Sequence, residues 1–174
     1  MIGIRKDTDP DLREVFAKGF PAYPQAVDLS SPTNSSPYRM TAADLREAFQ
    51  DDPWRLHLLA NVDTVLDELA SRGVNIPGFL IGGGFVRRLK DGTRPRDIDG
   101  VAFYKAEGVS PDEVAPALSG AARAAKSLQI DMRFCPLDAN PILMMKSLIF
   151  YSVLFSKSEG RMEIENGLIL YDRH

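Results

Sequence analysis

The sequence predicts an α+β domain, a small mixed sheet flanked by helices. Three observations carry that prediction. Short apolar runs at 78–81, 97–104 and 129–135 have strand length and strand composition. Segments with helical caps and helical apolar spacing lie between them. No internal repeat is present, so the alternation describes one mixed domain and not an array. Strand order is left open by the sequence.

Residues 1–40 carry five prolines, Pro10, Pro21, Pro24, Pro32 and Pro37, with only short apolar runs between them. They read as a partly ordered N-terminal extension, helical only around 11–19, or as an arm that docks on the core or on a partner. Residues 41–174 read as the domain. Thr41 and Asp44 form a capping box, with Met40 and Leu45 placed as a hydrophobic staple, before a short helix over 42–49. Asp52 caps a second helix with Pro53 at its first position. Leu59, Val62, Leu66 and Leu69 give that helix one apolar face, and Gly73 ends it.

A buried strand at 78–81 runs into Gly82-Gly83-Gly84, followed by one or two helical turns over 85–89. A loop at 90–96 leads to the strand 97–104. Ser110-Pro111-Asp112-Glu113 starts a helix that runs to about residue 128. The strand 129–135 follows, and Asn140-Pro141 opens a very apolar helix to about residue 155. Residues 160–171 read as a final hairpin or edge strand around Asn166-Gly167.

Composition bounds the function. The chain has 174 residues, 44% of them apolar, enough for one domain with an ordinary core. A net charge of -3 and a pI near 5.4 argue against coating nucleic acid through bulk charge. Cys135 is the only cysteine, so an intramolecular disulfide is excluded. With only His57 and His174 beside it, the composition argues against a zinc site of His and Cys. Any metal would be held by oxygen, which favours Mg2+ or Mn2+. The greasiest stretch, 142–155, contains Lys146 and is shorter than the roughly 20 residues that span a bilayer. No secretory signal is visible. These features read as a cytoplasmic protein with no membrane partner.

The chemistry concentrates in three places. In a strand, alternate side chains share a face, so Asp97 and Asp99 point the same way while Ile98 turns to the core. Asp131 repeats the pattern between Ile130 and Met132. If the third strand neighbours the second, three carboxylates converge, and divalent cations relieve their repulsion. Gly82, Gly83 and Gly84 let a phosphate approach the backbone closely. Arg87, Arg88, Lys90, Arg94 and Arg96 crowd the intervening loop and suit a triphosphate or an anionic acceptor. Taken singly, each feature has a bland reading: a turn, a solvated acid pair, an exposed strand residue, a solvated loop. Their ordered combination is what points to a metal-phosphate site.

The string from Gly83-Gly84-Phe85-Val86 to Pro95-Arg96-Asp97-Ile98-Asp99 resembles the DNA polymerase beta-type nucleotidyltransferase superfamily. More narrowly, it resembles bacterial nucleotidyltransferase-like proteins of unknown function with Gly-Ser-Phe-Val and Pro-x-Asp-Ile-Asp. The likeness covers about 37–171 and is most specific over 79–104. It implies that Asp97 and Asp99 bind two metals, that Asp131 completes one metal's shell, and that Gly83 and Gly84 approach a triphosphate. The serine usual in the narrow group is Gly84 here, which removes a hydroxyl near the phosphate. The helical domain that binds base or acceptor in larger members is missing. Acceptor choice would then fall to the arm, the last helix or a partner.

The resulting expectation is Mg2+- or Mn2+-dependent transfer of a nucleotidyl group from a nucleoside triphosphate. The acceptor hydroxyl would belong to a protein, an RNA or a small molecule. Two alternatives stand beside it. One is a catalytically weak or inactive module of the same fold that senses nucleotide or holds a partner. The other is an interaction protein, such as a toxin–antitoxin or defence-system component. The helix over 141–155 bears on both. Being apolar on nearly all sides, it reads as a central core helix. Otherwise it is the surface of a homodimer or of a complex with a protein partner. Trp54 and Tyr38 read as packing anchors more than base-stacking groups, and Cys135 as core.

Overall fold

The computed structural model describes residues 36–87, 93–106, 108–138, 140–157 and 166–173. Its five strands are β1 (Tyr38–Met40), β2 (Asn75–Gly82), β3 (Ile98–Lys105), β4 (Ile130–Pro136) and β5 (Ile169–Asp172). Its four α-helices are α1 (Ala42–Ala48), α2 (Pro53–Ser71), α3 (Pro111–Ser127) and α4 (Pro141–Ser156). The fold is α+β.

The strands make one mixed sheet in the order β1-β5-β2-β3-β4. β2 is antiparallel to both β3 and β5, whereas β3 with β4 and β1 with β5 are parallel. The parallel β3–β4 pair needs a crossover, which α3 supplies. Caps set the helix starts. Thr41 and Asp44 close the capping box on α1, with the Thr41 N–H donating to Asp44 at 2.8 Å. Asp52 caps α2 by accepting from the Arg55 N–H at 3.0 Å. Glu113 reaches back to the Ser110 N–H at the start of α3.

Alternation along the strands sorts the core into two faces. Phe79, Ile81, Ala102, Met132 and Tyr171 face a large core shared with the first three helices. Leu80, Val101, Phe103 and Cys135 face the other way, toward Phe155 at the end of α4.

The structure corrects the sequence expectations in several places. Tyr38–Met40, assigned to the extension, form the edge strand of the sheet and bury Tyr38 and Met40. β2 begins at Asn75, ahead of the expected start, because its pairing with β3 continues past Gly78 to Asn75–Lys105. β5 is an inner strand, held between β1 and β2, not an edge or hairpin arm. The first arm of the hairpin expected around Asn166-Gly167, residues 160–165, lies outside the described residues. Only Phe155 and Ser156 of α4 are fully buried, so it is not a central core helix. It lies on one face of the sheet with its outer side exposed. Ile142 and Ile149 are each 65% exposed and Phe150 is 59% exposed. No helix among the described residues is long and apolar enough to cross a membrane.

Candidate functional site

The β3–β4 register decides how the acidic residues meet. Asp99 on β3 is paired across from Asp131 on β4. On its other side Asp99 is paired with Gly82 at the end of β2. Asp99 and Asp131 therefore share the sheet face that also carries Val101 and Cys135. Asp97 lies one residue before β3, not inside it as expected, and is exposed. The three acids still sense each other. The Asp99 carboxyl is pushed above its ordinary range, first by burial and then by the charges of Asp97 and Asp131; Arg87 and Arg133 pull it back. No hydrogen bond reaches the Asp99 carboxylate among the described residues.

The glycines do different work from one another. A Cβ at Gly83 would fall 2.0 Å from the Asp99 Oδ2, and the residue has φ +65°. Only glycine takes that backbone and leaves room for the carboxylate. A Cβ at Gly82 would fall 2.5 Å from the Phe155 Cβ, so this position is filled by α4. Gly84 alone faces open space. It lies in the 3-10 turn Gly83–Val86, which overlaps the start of the helical turns expected over 85–89; residues 88 and 89 lie outside the described residues. Of the three, only Gly84 lacks a packing reason for being bare.

Arg87 is the basic residue best placed at the site. Its guanidinium donates to the Lys157 carbonyl at 2.6 Å, yet its buried Nε has no partner among the described residues. Its backbone is fixed by Arg55, a buried arginine on α2. Arg55 donates to the Phe85 carbonyl at 2.8 Å and to the Arg87 carbonyl at 2.8 Å. Asp52 neutralises Arg55 across 2.5 Å. Arg88 and Lys90 lie outside the described residues. Arg96 is exposed, and its carbonyl accepts from the Gln129 side chain at 3.1 Å. Arg94 stacks 4.1 Å over the Trp54 ring, whose Nε1 donates to the Pro95 carbonyl at 2.7 Å. Trp54 thus anchors the segment that delivers Asp97. Tyr38 is buried in the core.

Sequence reasoning missed Arg133 and Arg55. Arg133 follows Asp131 by two residues on the same strand, a spacing that alone puts both on one face. Its guanidinium pairs with Asp131 at 2.9 Å, both side chains being about half exposed at 54% and 51%. A pair this exposed is worth at most about 1 kcal/mol. Arg55 left no such signal, because a lone arginine on an amphipathic helix reads as a surface residue.

The donor set suits a hard cation: carboxylate oxygen from Asp97, Asp99 and Asp131. As the side chains stand, no group of three His, Cys, Asp or Glu among the described residues is gathered closely enough to hold an ion. Asp131 is turned onto Arg133 instead. A rotamer change at this exposed side chain would release it at small cost.

No curated protein and no solved structure matches the chain. A family model, described as a family of unknown function (DUF6932), matches residues 16–170. That match takes in nearly all of the sheet and every residue of the acidic site, and the chain belongs to this family.

Proposed function

We propose that this protein transfers a nucleotidyl group from a nucleoside triphosphate to an acceptor hydroxyl, using Mg2+ or Mn2+. The observation that carries the reading is the pairing of Asp99 with Asp131 in adjacent parallel strands, beside a glycine that is bare because Asp99 occupies its side-chain space. Two acids fixed by register cannot move apart, and their repulsion is relieved most simply by a divalent ion. Asp97, Asp99 and Asp131 would hold the metal. When bound, it would supply charge for the leaving phosphates and acidify the acceptor hydroxyl. Arg87, with its unsatisfied buried Nε, would bind phosphate oxygens. The N–H groups of the Gly83–Val86 turn would add donors to the same anion. Asp131, once it leaves Arg133, would orient the metal and help take the acceptor proton. Most of the acceleration would come from positioning and charge.

The test is incubation of the purified chain with labelled triphosphates and Mg2+ or Mn2+, alone and with cell extract, beside the Asp97→Ala plus Asp99→Ala double variant. Label transfer by the wild type and none by the variant is the expected outcome. Equal labelling, or no labelling and no triphosphate binding, rejects the reading. One observation favours a non-catalytic module instead. The Asp131–Arg133 ion pair neutralises the third acid without a metal. Triphosphate binding indifferent to divalent ions would support that alternative.

A further inference from the structure

We infer that the exposed face of α4 is a dimer interface, occupied by α4 of a second copy of this chain. The inference does not depend on the reaction proposed above. Seven large apolar side chains on this helix are solvent-exposed, Ile142, Ile149, Phe150 and Leu154 among them. At their fractional exposures they present roughly 800 Å² of largely apolar surface, the share one partner contributes to a standard interface. That exceeds the roughly 300–600 Å² of the largest patch on a typical monomer. Burying it would stabilise an assembly strongly, at about 25 cal/mol per Å² before the costs of association.

The patch fits its own image. α4 carries one charged residue in sixteen, Lys146. Two copies laid antiparallel across a two-fold axis therefore meet without charge conflict, because Lys146 sits off the helix centre and the two ammonium groups are staggered. The opposite face of α4 is already committed to the sheet through Phe155, Met144 and Tyr151. A rigid, half-anchored helix loses little conformational freedom on pairing. The chain's own N-terminal segment is a poorer occupant. Within 11–19, the stretch whose sequence reads as helical, the large apolar side chains are Leu12, Val15 and Phe16. Three side chains from that stretch are fewer than the seven exposed on α4. The last turn of α4 packs on Gly82, and the Lys157 carbonyl that follows holds Arg87. The interface thus borders the acidic site.

Light scattering after gel filtration of the full chain at micromolar concentration should give twice the 19.2 kDa chain mass. Ile149→Glu plus Phe150→Glu, both at exposed positions, should weaken association at least tenfold while circular dichroism stays unchanged. Ile149→Cys, near the helix midpoint, should form a disulfide-linked dimer on mild oxidation, because the native Cys135 is buried and does not compete. A monomeric wild type with no cross-linking overturns the inference. A dimer that survives the double Glu substitution overturns it too. Dimerisation only after removal of residues 1–35 identifies the arm as the occupant and likewise rejects the second copy.

Discussion

Replacing Asp99 by Asn isolates the electrostatic tension of the acidic cluster. The amide keeps the shape that fits beside Gly83 and removes the charge. Asp99 lies across from Asp131 in neighbouring strands. Strands lie about 4.8 Å apart, which sets the two carboxylates at roughly 5 Å. At effective dielectric constants between about 20 and 80 the repulsion is roughly 1–3 kcal/mol. Arg133 and Arg87 offset part of it. The net gain from Asp99→Asn is then about 1 kcal/mol at neutral pH, a rise in Tm of about 2–4 °C for a domain of this size. The sign follows from linkage. The Asp99 carboxyl titrates higher in the folded chain than in the unfolded one. The native state therefore binds the proton more tightly, and stability falls as pH rises from the ordinary carboxylate range through the raised folded value. Below that window the wild type and the variant should converge. Thermal melts at a series of pH values measure this directly. A lower Tm for Asp99→Asn at neutral pH, or a difference that does not depend on pH, would refute the picture of a carboxylate disfavoured by burial and by its acidic neighbours.

Other outcomes follow from the same geometry. Gly83→Ala should destabilise by more than about 1–2 kcal/mol, since it adds a Cβ in a left-handed backbone against Asp99, whereas Gly84→Ser should stay within about 0.5 kcal/mol. Denaturant titration of both variants makes the comparison, and equal losses would contradict it. Arg133→Gln should raise Mn2+ affinity about two- to fivefold by freeing Asp131, read by the electron paramagnetic resonance of free Mn2+. Unchanged or weaker binding would show that the ion pair does not compete. Tyr38 and Tyr171 are pushed up to about 12, both chiefly by burial, Tyr171 also by its hydrogen bond to Asp63. Their contribution to stability is intact below pH 10 and lost as pH rises from there toward 12. Ultraviolet titration should show these two tyrosines ionising late, together with unfolding.

Much of the fold is written locally. The Thr41–Asp44 box, the Asp52-Pro53 start and the Ser110–Glu113 box each act within four residues, and each appears where its residues stand. Strand order is not local: nothing in Ile169–Asp172 announces that it inserts between β1 and β2. The acidic site was legible in part. Alternation placed Asp131 on the face opposite to Ile130 and Met132, but only the β3–β4 register brings it across from Asp99. The glycine triplet was read as one phosphate cradle, whereas Gly82 and Gly83 are bare because Phe155 and Asp99 fill their space. Such contacts join residues far apart in sequence and leave no periodic trace. The apolar character of α4 was plain, but hydropathy does not show which side of a helix packs on the sheet and which is left exposed.

Asp97, Asp99 and Asp131 are proposed to act together on a divalent ion. Calorimetric titration of the chain with Mn2+, alone and with a non-hydrolysable triphosphate, tests it most directly. Saturable Mn2+ binding that strengthens triphosphate binding, and that vanishes in Asp97→Ala plus Asp99→Ala while the fold persists, is the predicted result. Triphosphate binding of equal strength with and without Mn2+, or Mn2+ binding untouched by the double substitution, would contradict it.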